Sequence, residues 1–251
     1  MMKYKWMILF CCIPFFSIAQ ETTLLFKEAV NLETQYKEQE ALDKYRQILL
    51  NEPGNMKALL KAVELSCSTG ERLPLKNDKR ITFESAMSYA KRMVTTDSAN
   101  AEGYYAIALV SGKMTEVETE NKKTVQFVRD IKINADKALK LNPNHAMANF
   151  IEGKWHYEMV TLNWAKKLAV KTLYGGLPEP SLDDAIAYME KCKALNPYFV
   201  LNMLTLGKAY KENRNPAKAM ETLQRCVKLP TRTMDDPVLK AEAQKILDSL
   251  Q

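Results

Sequence analysis

The chain has 251 residues, of which 36 are basic and 30 acidic, so its net charge at neutral pH is +6. A surplus this small, with both signs interspersed, is typical of a solvated surface and argues against nucleic acid as a partner. Beyond the N-terminal segment the cysteines are Cys67, Cys192 and Cys226, an odd number at wide spacing that does not predict a disulfide framework. Cys192 and Cys226 occupy the same position of successive repeats, which favours packing in the core.

The N-terminal segment has the pattern of a secretory signal peptide. Lys3 and Lys5 precede an apolar run over residues 6–16, and small residues follow it up to Ala19. The run is shorter than a membrane span requires. Its first cysteine follows phenylalanine rather than a small residue, so a lipoprotein signal is not predicted. We therefore predict residues 1–19 as a signal peptide cleaved after Ala19, and an exported, periplasmic or secreted protein. An uncleaved membrane anchor is the alternative.

The first predicted element after this segment is a pair of antiparallel helices that ends at Pro53. Two small residues, Ala29 and Ala41, allow the helices to approach each other closely, and Tyr45 fills an aromatic position between them. A proline after the last turn cannot continue the second helix. This spacing predicts a helical hairpin of standard length.

The second and third hairpins are predicted to be longer. Their close-approach positions, such as Val63 and Ala86, lie almost twice as far apart in sequence as those of the first hairpin. An insertion of about three helical turns keeps an apolar face in phase, so lengthened hairpins are expected. However, Gly70, Pro74 and Gly112 indicate that part of each insertion is a loop.

The fourth hairpin carries the longest insertion. Its close-approach residues are Gly153 and Ala185, and the additional sequence covers residues 162–180. This insertion begins with a helical pattern and is then broken by a glycine pair and two prolines. Ser181, with Asp184 three residues later, is predicted to cap the helix that follows.

The last hairpin shows the repeat pattern most clearly. It has Met203 in place of tryptophan, then Gly207 and Ala219 as close-approach residues, and it closes at a proline, as in the 34-residue tetratricopeptide pattern. Such hairpins cannot bury their apolar faces alone and must stack. We therefore predict an all-α, tetratricopeptide-type α-solenoid of about five hairpins over residues 20–234. Residues 235–251 are predicted to form a C-terminal capping helix.

Several segments carry a more specific pattern than repeat spacing. They are residues 134–143, the Glu-Gly-Lys-Trp-His motif at 152–156, 163–164, 173–175, 178–181 and 196–210. Together they resemble the tetratricopeptide domain of the regulator of microtubule dynamics family, with the long insertion in the expected place. The resemblance is strongest over residues 135–230. It implies an adaptor fold with a binding role, no established catalytic chemistry, and a microtubule-associated function as one alternative.

The sequence lacks motifs that carry chemistry. The glycine pair at 175–176 is not followed by the lysine of a phosphate-binding loop. His145 lies in a turn, and His156 occupies a position where a packed core residue is expected. Glu152 and Glu158 do not share a helix face well, so a pair of catalytic carboxylates is not indicated. We therefore predict a protein that is not an enzyme, with no catalytic, cofactor-binding or metal-binding residues.

The predicted binding surface is the concave groove of the solenoid. Apolar residues recur at one groove-facing position of each first helix, and lysines follow four residues later in the last two hairpins, predicting an apolar floor with a basic edge. The candidate contacts are Phe26, Leu60, Tyr105, Phe150, Lys154, Tyr157, Leu204 and Lys208. The alternative is that long hairpins fold over the groove and bury these residues. Two alternatives also stand for Trp155 and Trp164: each either packs against the insertion or faces a ligand.

Two functions from different classes are consistent with such a groove. The first is an interaction scaffold that holds a protein or peptide partner. The second is a carrier for a lipid or another apolar ligand. A module that only forms homo-oligomers is a third alternative.

Overall fold

The structure is a computed structural model that describes residues 13–162 and 178–250, with side chains described from residue 20 onwards. Within these ranges it has eleven helices and no strand, which confirms the all-α prediction. The helices are α1 (Ile13–Thr34), α2 (Glu38–Asn51), α3 (Met56–Glu71), α4 (Lys76–Thr96), α5 (Ala101–Val117), α6 (Asn121–Leu141), α7 (Ala146–Thr161), α8 (Leu182–Leu195), α9 (Val200–Glu212), α10 (Pro216–Lys228) and α11 (Asp236–Asp248).

The helices form five hairpins that stack in chain order. The pairs α1/α2, α3/α4, α5/α6, α7/α8 and α9/α10 each pack against each other, and every hairpin contacts the next one. The last helix, α11, packs against both α9 and α10. Each apolar face is therefore buried by a neighbouring hairpin, as in a tetratricopeptide-type α-solenoid.

Small residues lie where two helices of a hairpin come closest, as the sequence predicts. Ala29 and Ala41 are completely buried between α1 and α2. A Cβ atom on Gly153 would lie 2.9 Å from the carbonyl oxygen of Ala185, and one on Gly207 would lie 2.6 Å from the Leu223 side chain. The repeat register is therefore correct at these positions.

The prediction that glycines mark loops in the longer hairpins is wrong. Gly70 and Gly112 lie inside α3 and α5, and only short turns at 72–75 and 118–120 connect these helices to α4 and α6. A Cβ atom on Gly70 would lie 2.7 Å from the ring of Phe83, so the missing side chain makes room for an aromatic residue of the partner helix. Pro74 does lie in a turn, as predicted.

The start of α8 confirms the predicted cap. The hydroxyl oxygen of Ser181 accepts a hydrogen bond of 3.1 Å from the backbone N–H of Asp184. The predicted insertion residues 163–177, including Trp164, lie outside the described residues, as do residues 1–12 of the predicted signal peptide. Of the helices that are described, none combines the length and the hydropathy that crossing a bilayer requires.

The three cysteines pack in the core as free thiols, as predicted. Burial raises the pKa of Cys67 to about 12 and that of Cys192 to about 12. It raises the pKa of Cys226 to about 11. Such thiols stay protonated at neutral pH and are poor nucleophiles, so their role is packing.

Candidate groove site

A cavity of about 200 Å³ lies between α5 and α7, the first helices of the third and fourth hairpins. Most of its lining is apolar and comes from these two helices, with further contributions from α6 and from the segment where α9 begins. Its largest apolar and aromatic lining side chains are Tyr105, Ile131, Met147, Phe150, Trp155 and Phe199. It is therefore a preformed apolar recess in the wall of the solenoid.

The aromatic side chains of this recess are fixed by their own contacts. The rings of Phe150 and Phe199 meet edge to face with centroids 4.8 Å apart, a favourable arrangement for two aromatic rings. The indole N–H of Trp155 donates to the carbonyl oxygen of Val128 at 3.1 Å. The phenol of Tyr105 donates to Glu64 at 3.2 Å. These contacts fix the positions of the aromatic side chains around the recess.

Charged side chains surround the recess. Lys113, Glu116, Lys154 and Glu158 contribute to its lining. The ammonium group of Lys154 is paired with the carboxylate of Glu158, one turn later in α7. Lys113 lies 2.5 Å from a carboxylate oxygen of Glu71 and 3.7 Å from one of Glu116. Each lysine is therefore engaged by at least one glutamate.

Both lysines of the predicted basic edge are paired with carboxylates. Lys154 is paired with Glu158, and Lys208 lies 2.5 Å from a carboxylate oxygen of Glu242 in α11. Neither glutamate occupies one of the groove-facing repeat positions from which the basic edge was predicted. Each lysine is therefore paired with a carboxylate rather than being an isolated positive charge.

The structure brings three of the eight predicted contact residues together. Tyr105, Phe150 and Lys154 line the recess. Leu204 is only 1% exposed because it packs in a cluster with Ala243 and Leu247 of α11. The C-terminal helix therefore covers the last hairpin at the position where the groove was predicted to be open.

The other predicted contacts lie outside the recess. Tyr157 is half-buried against a cluster around α8, α9 and α10. Phe26 packs edge to face against Tyr45 at 5.8 Å, with the ammonium group of Lys57 5.5 Å from its ring centre. Leu60 is half-buried between the first two core clusters. These residues serve packing in the first, second and fourth hairpins.

The sequence analysis missed several residues that line the recess. Gly112 comes two turns after Tyr105, and Met147 comes three residues before Phe150, so helix periodicity could have placed each pair on one face. Ile131 belongs to a second helix, and Phe199 directly precedes α9. Nothing in the pattern of the first helices could have indicated these two.

A separate cluster of charged side chains is buried where α6, α7 and α8 meet. Glu152 is completely buried, with the Lys132 ammonium group 2.8 Å and the His156 Nε2 atom 3.3 Å from its Oε1 atom. Burial lowers the pKa of Lys132, but the carboxylates of Asp136 and Glu152 outweigh this effect and raise it. The lysine therefore stays charged and compensates the buried carboxylate.

The two histidines are held by contacts within the fold. Nδ1 of His156 accepts a hydrogen bond of 3.2 Å from the backbone N–H of Ser181, and its Nε2 faces Glu152. Nδ1 of His145 accepts from the N–H of Ala148 at 3.1 Å and caps α7, while its Nε2 lies 3.0 Å from Glu102. Both rings are buried, which agrees with the packed position predicted for His156. Across residues 13–162 and 178–250, no group of three or more histidine, cysteine or acidic side chains is arranged to hold a metal ion.

The stacked hairpins define the class of the protein as a tetratricopeptide-type α-solenoid. A solved structure described as a thermophilic TPR protein from Thermus thermophilus has this fold. It aligns with a TM-score of 0.63 and 16% identity, and the match covers 89% of this chain and 99% of that one. At this identity the likeness shows the fold alone.

The family follows from sequence comparison. The family model described as "Regulator of microtubule dynamics protein 1-3" matches residues 25–251, and the chain belongs to this family. Regulator of microtubule dynamics protein 1 from Mus musculus is 25% identical over 174 residues, which are 69% of this chain and 57% of the relative. Regulator of microtubule dynamics protein 2 from Homo sapiens is 27% identical over 189 residues, 75% of this chain and 44% of the relative. The chain spans about half the length of the curated relatives it matches.

Proposed function

We propose that this chain is a non-enzymatic, exported scaffold that binds a segment of a protein partner in the groove between α5 and α7. The preformed apolar recess of about 200 Å³ is the observation that carries the proposal. Tetratricopeptide-type solenoids present extended concave surfaces, and an apolar side chain inserted into a fixed aromatic recess is a favourable anchor. The recess is lined by Tyr105 and Phe150, two of the residues that the sequence indicated.

The size of the recess favours a side chain over a lipid. Sites that enclose a small molecule usually have volumes of about 300–1,000 Å³, above the volume of this recess. A lipid or apolar ligand carrier is therefore the second candidate, supported by the apolar lining alone. Native mass spectrometry of the purified protein separates the two, because a carrier retains a bound ligand and a scaffold does not.

Two further alternatives concern the partner. The names of the relatives indicate microtubule regulation, so a cytoskeletal filament is one candidate, and cosedimentation with microtubules tests it. The other candidate partner is a second copy of this chain. A dimer mass measured by light scattering would favour it.

The variant Gly112→Leu tests the recess directly. A Cβ atom at Gly112 meets only the Cδ1 atom of Ile131, at 4.0 Å, so a leucine fits on α5 and its side chain occupies the recess. We expect capture of the native partner, measured by crosslinking and pulldown from the cell envelope, to fall at least about tenfold, the equivalent of about 1.4 kcal/mol of binding free energy.

The matched control for this variant is Ser88→Leu. Ser88 is exposed on α4, so the same side chain is added to a helix far from the recess. It should leave capture unchanged, and both variants should keep the circular dichroism spectrum of the parent. Equal capture by Gly112→Leu and the parent would refute binding in the recess.

Export is tested by the mass of the mature protein. The basic start, the apolar run over residues 6–16 and the small residues up to Ala19 support it. The first described buried side chain of α1 is Thr22, which donates to Glu52 at 2.6 Å, so cleavage after Ala19 would leave that contact intact. We expect intact mass spectrometry of envelope fractions to give a chain that begins at Gln20. A full-length mass in the cytosolic fraction would refute export.

A further inference from the structure

Two carboxylates and two ammonium groups line the recess, and a further carboxylate, that of Glu71, competes for one of the ammonium groups. Lys113 is shared between Glu71, at 2.5 Å, and Glu116, at 3.7 Å. The ammonium group of Lys154 is paired with the carboxylate of Glu158. Glu116 therefore has no close cation of its own, although it lines the recess and its side chain is 47% exposed.

A second under-compensated carboxylate lies at the Tyr105 end of the recess. Glu64 accepts a hydrogen bond from the Tyr105 phenol, whereas the nearest ammonium group, that of Lys61, lies 3.9 Å from it. That lysine is closer to Glu33, at 2.8 Å. Lys61, like Lys113, is therefore shared between two glutamates. The closer one is Glu33 for Lys61 and Glu71 for Lys113, and neither of these lines the recess.

The pKa of Glu64 is raised, with burial as the largest cause. Burial raises the pKa of Glu64, and the nearby carboxylates of Glu102 and Glu33 raise it further, against the lowering effect of Lys61 and Tyr105. The ionised carboxylate is therefore incompletely solvated. A cation brought close to it would therefore be stabilised.

We propose that the partner segment is a basic, apolar peptide that inserts one bulky apolar side chain into the recess and places lysine or arginine side chains beside Glu64 and Glu116. This inference rests on the proposed function and names the chemistry of its partner. The apolar side chain supplies the anchor, and the complementary charges supply orientation and discrimination against acidic segments. Because Glu116 is exposed, binding is expected to weaken as salt screens the charges.

The first experiment is selection from a display library of random peptides of about twelve residues, with the full chain as bait and the Gly112→Leu chain as background. We expect the enriched peptides to combine leucine, methionine or an aromatic residue with flanking lysine or arginine. No enrichment above the Gly112→Leu background would overturn the proposed function. Enrichment of neutral or acidic peptides would leave the groove function standing and overturn the charge inference.

The second experiment measures the charge contribution by fluorescence anisotropy. A selected basic peptide and its analogue with glutamine at every basic position are titrated with the parent and with Glu64→Gln/Glu116→Gln. We expect the double variant to bind the basic peptide roughly tenfold more weakly and the glutamine analogue with unchanged affinity. Glu84→Gln removes a carboxylate from the exposed face of α4 and should change neither affinity. An equal effect of the double variant on both peptides, or none on the basic one, would overturn the inference.

Discussion

Lys132→Met should lower the free energy of unfolding by about 3–5 kcal/mol, because it leaves a buried carboxylate without its cation. Glu152 is completely buried, and the Lys132 ammonium group lies 2.8 Å from its Oε1 atom. Methionine keeps most of the apolar stem of the side chain and removes the ammonium group. Chemical denaturation followed by circular dichroism at pH 7 measures the change.

The expected loss comes from the unpaired charge, so removing that charge should restore stability. Lys132→Met/Glu152→Gln should recover most of the loss, because glutamine has nearly the shape of glutamate and carries no negative charge. Lys123→Met is the matched control: Lys123 and its partner Glu120 are exposed, so no measurable change is expected. A Lys132→Met chain as stable as the parent would show that Glu152 is not held by this lysine.

Gly153→Ala and Gly112→Ala should change stability in opposite directions. A Cβ atom on Gly153 would lie 2.7 Å from the Met189 side chain and 2.9 Å from the carbonyl oxygen of Ala185, so α7 and α8 must move apart. Overpacking of this kind costs about 1–3 kcal/mol. At Gly112 the nearest atom is 4.0 Å away, so alanine should gain up to about 1 kcal/mol from its higher helix propensity.

The pair of variants controls for helix propensity, because both replace a glycine inside a first helix by the same residue. Denaturant titration of the parent and both variants gives the two changes, and the midpoint should fall for Gly153→Ala and rise for Gly112→Ala. A Gly153→Ala chain that is as stable as the Gly112→Ala chain would mean that the fourth hairpin is not packed as closely as described.

The positions of the hairpins could be predicted because the repeat is local. Ala29 and Ala41 in the first hairpin have the same separation as Gly207 and Ala219 in the last, and this separation depends only on the geometry of two adjacent helices. The cap at Ser181 could be predicted for the same reason, since its hydrogen bond reaches only three residues along the chain. The interpretation of Gly70 was wrong because a glycine that breaks a helix and one that admits a neighbouring ring look alike in sequence.

The groove residues could be predicted only in part from such local patterns. Its apolar positions Tyr105 and Phe150 were found by repeat spacing, but Phe199 enters the recess from the segment before the next hairpin. Leu204 has the same apolar character as Phe150 and was assigned the same role, yet α11 covers it. Which groove positions stay open depends on how the ends of the solenoid are packed.

The sequence by itself therefore determined the all-α class, the register of the hairpins and the family, because these depend on residues a few helical turns apart. Only the tertiary structure decided that Glu242 pairs with Lys208 and that Glu152 pairs with Lys132. The physical reason is that charge pairing acts across a few ångströms of space. Both of these charge pairs join different helices, which stacking brings together although they lie apart in the sequence.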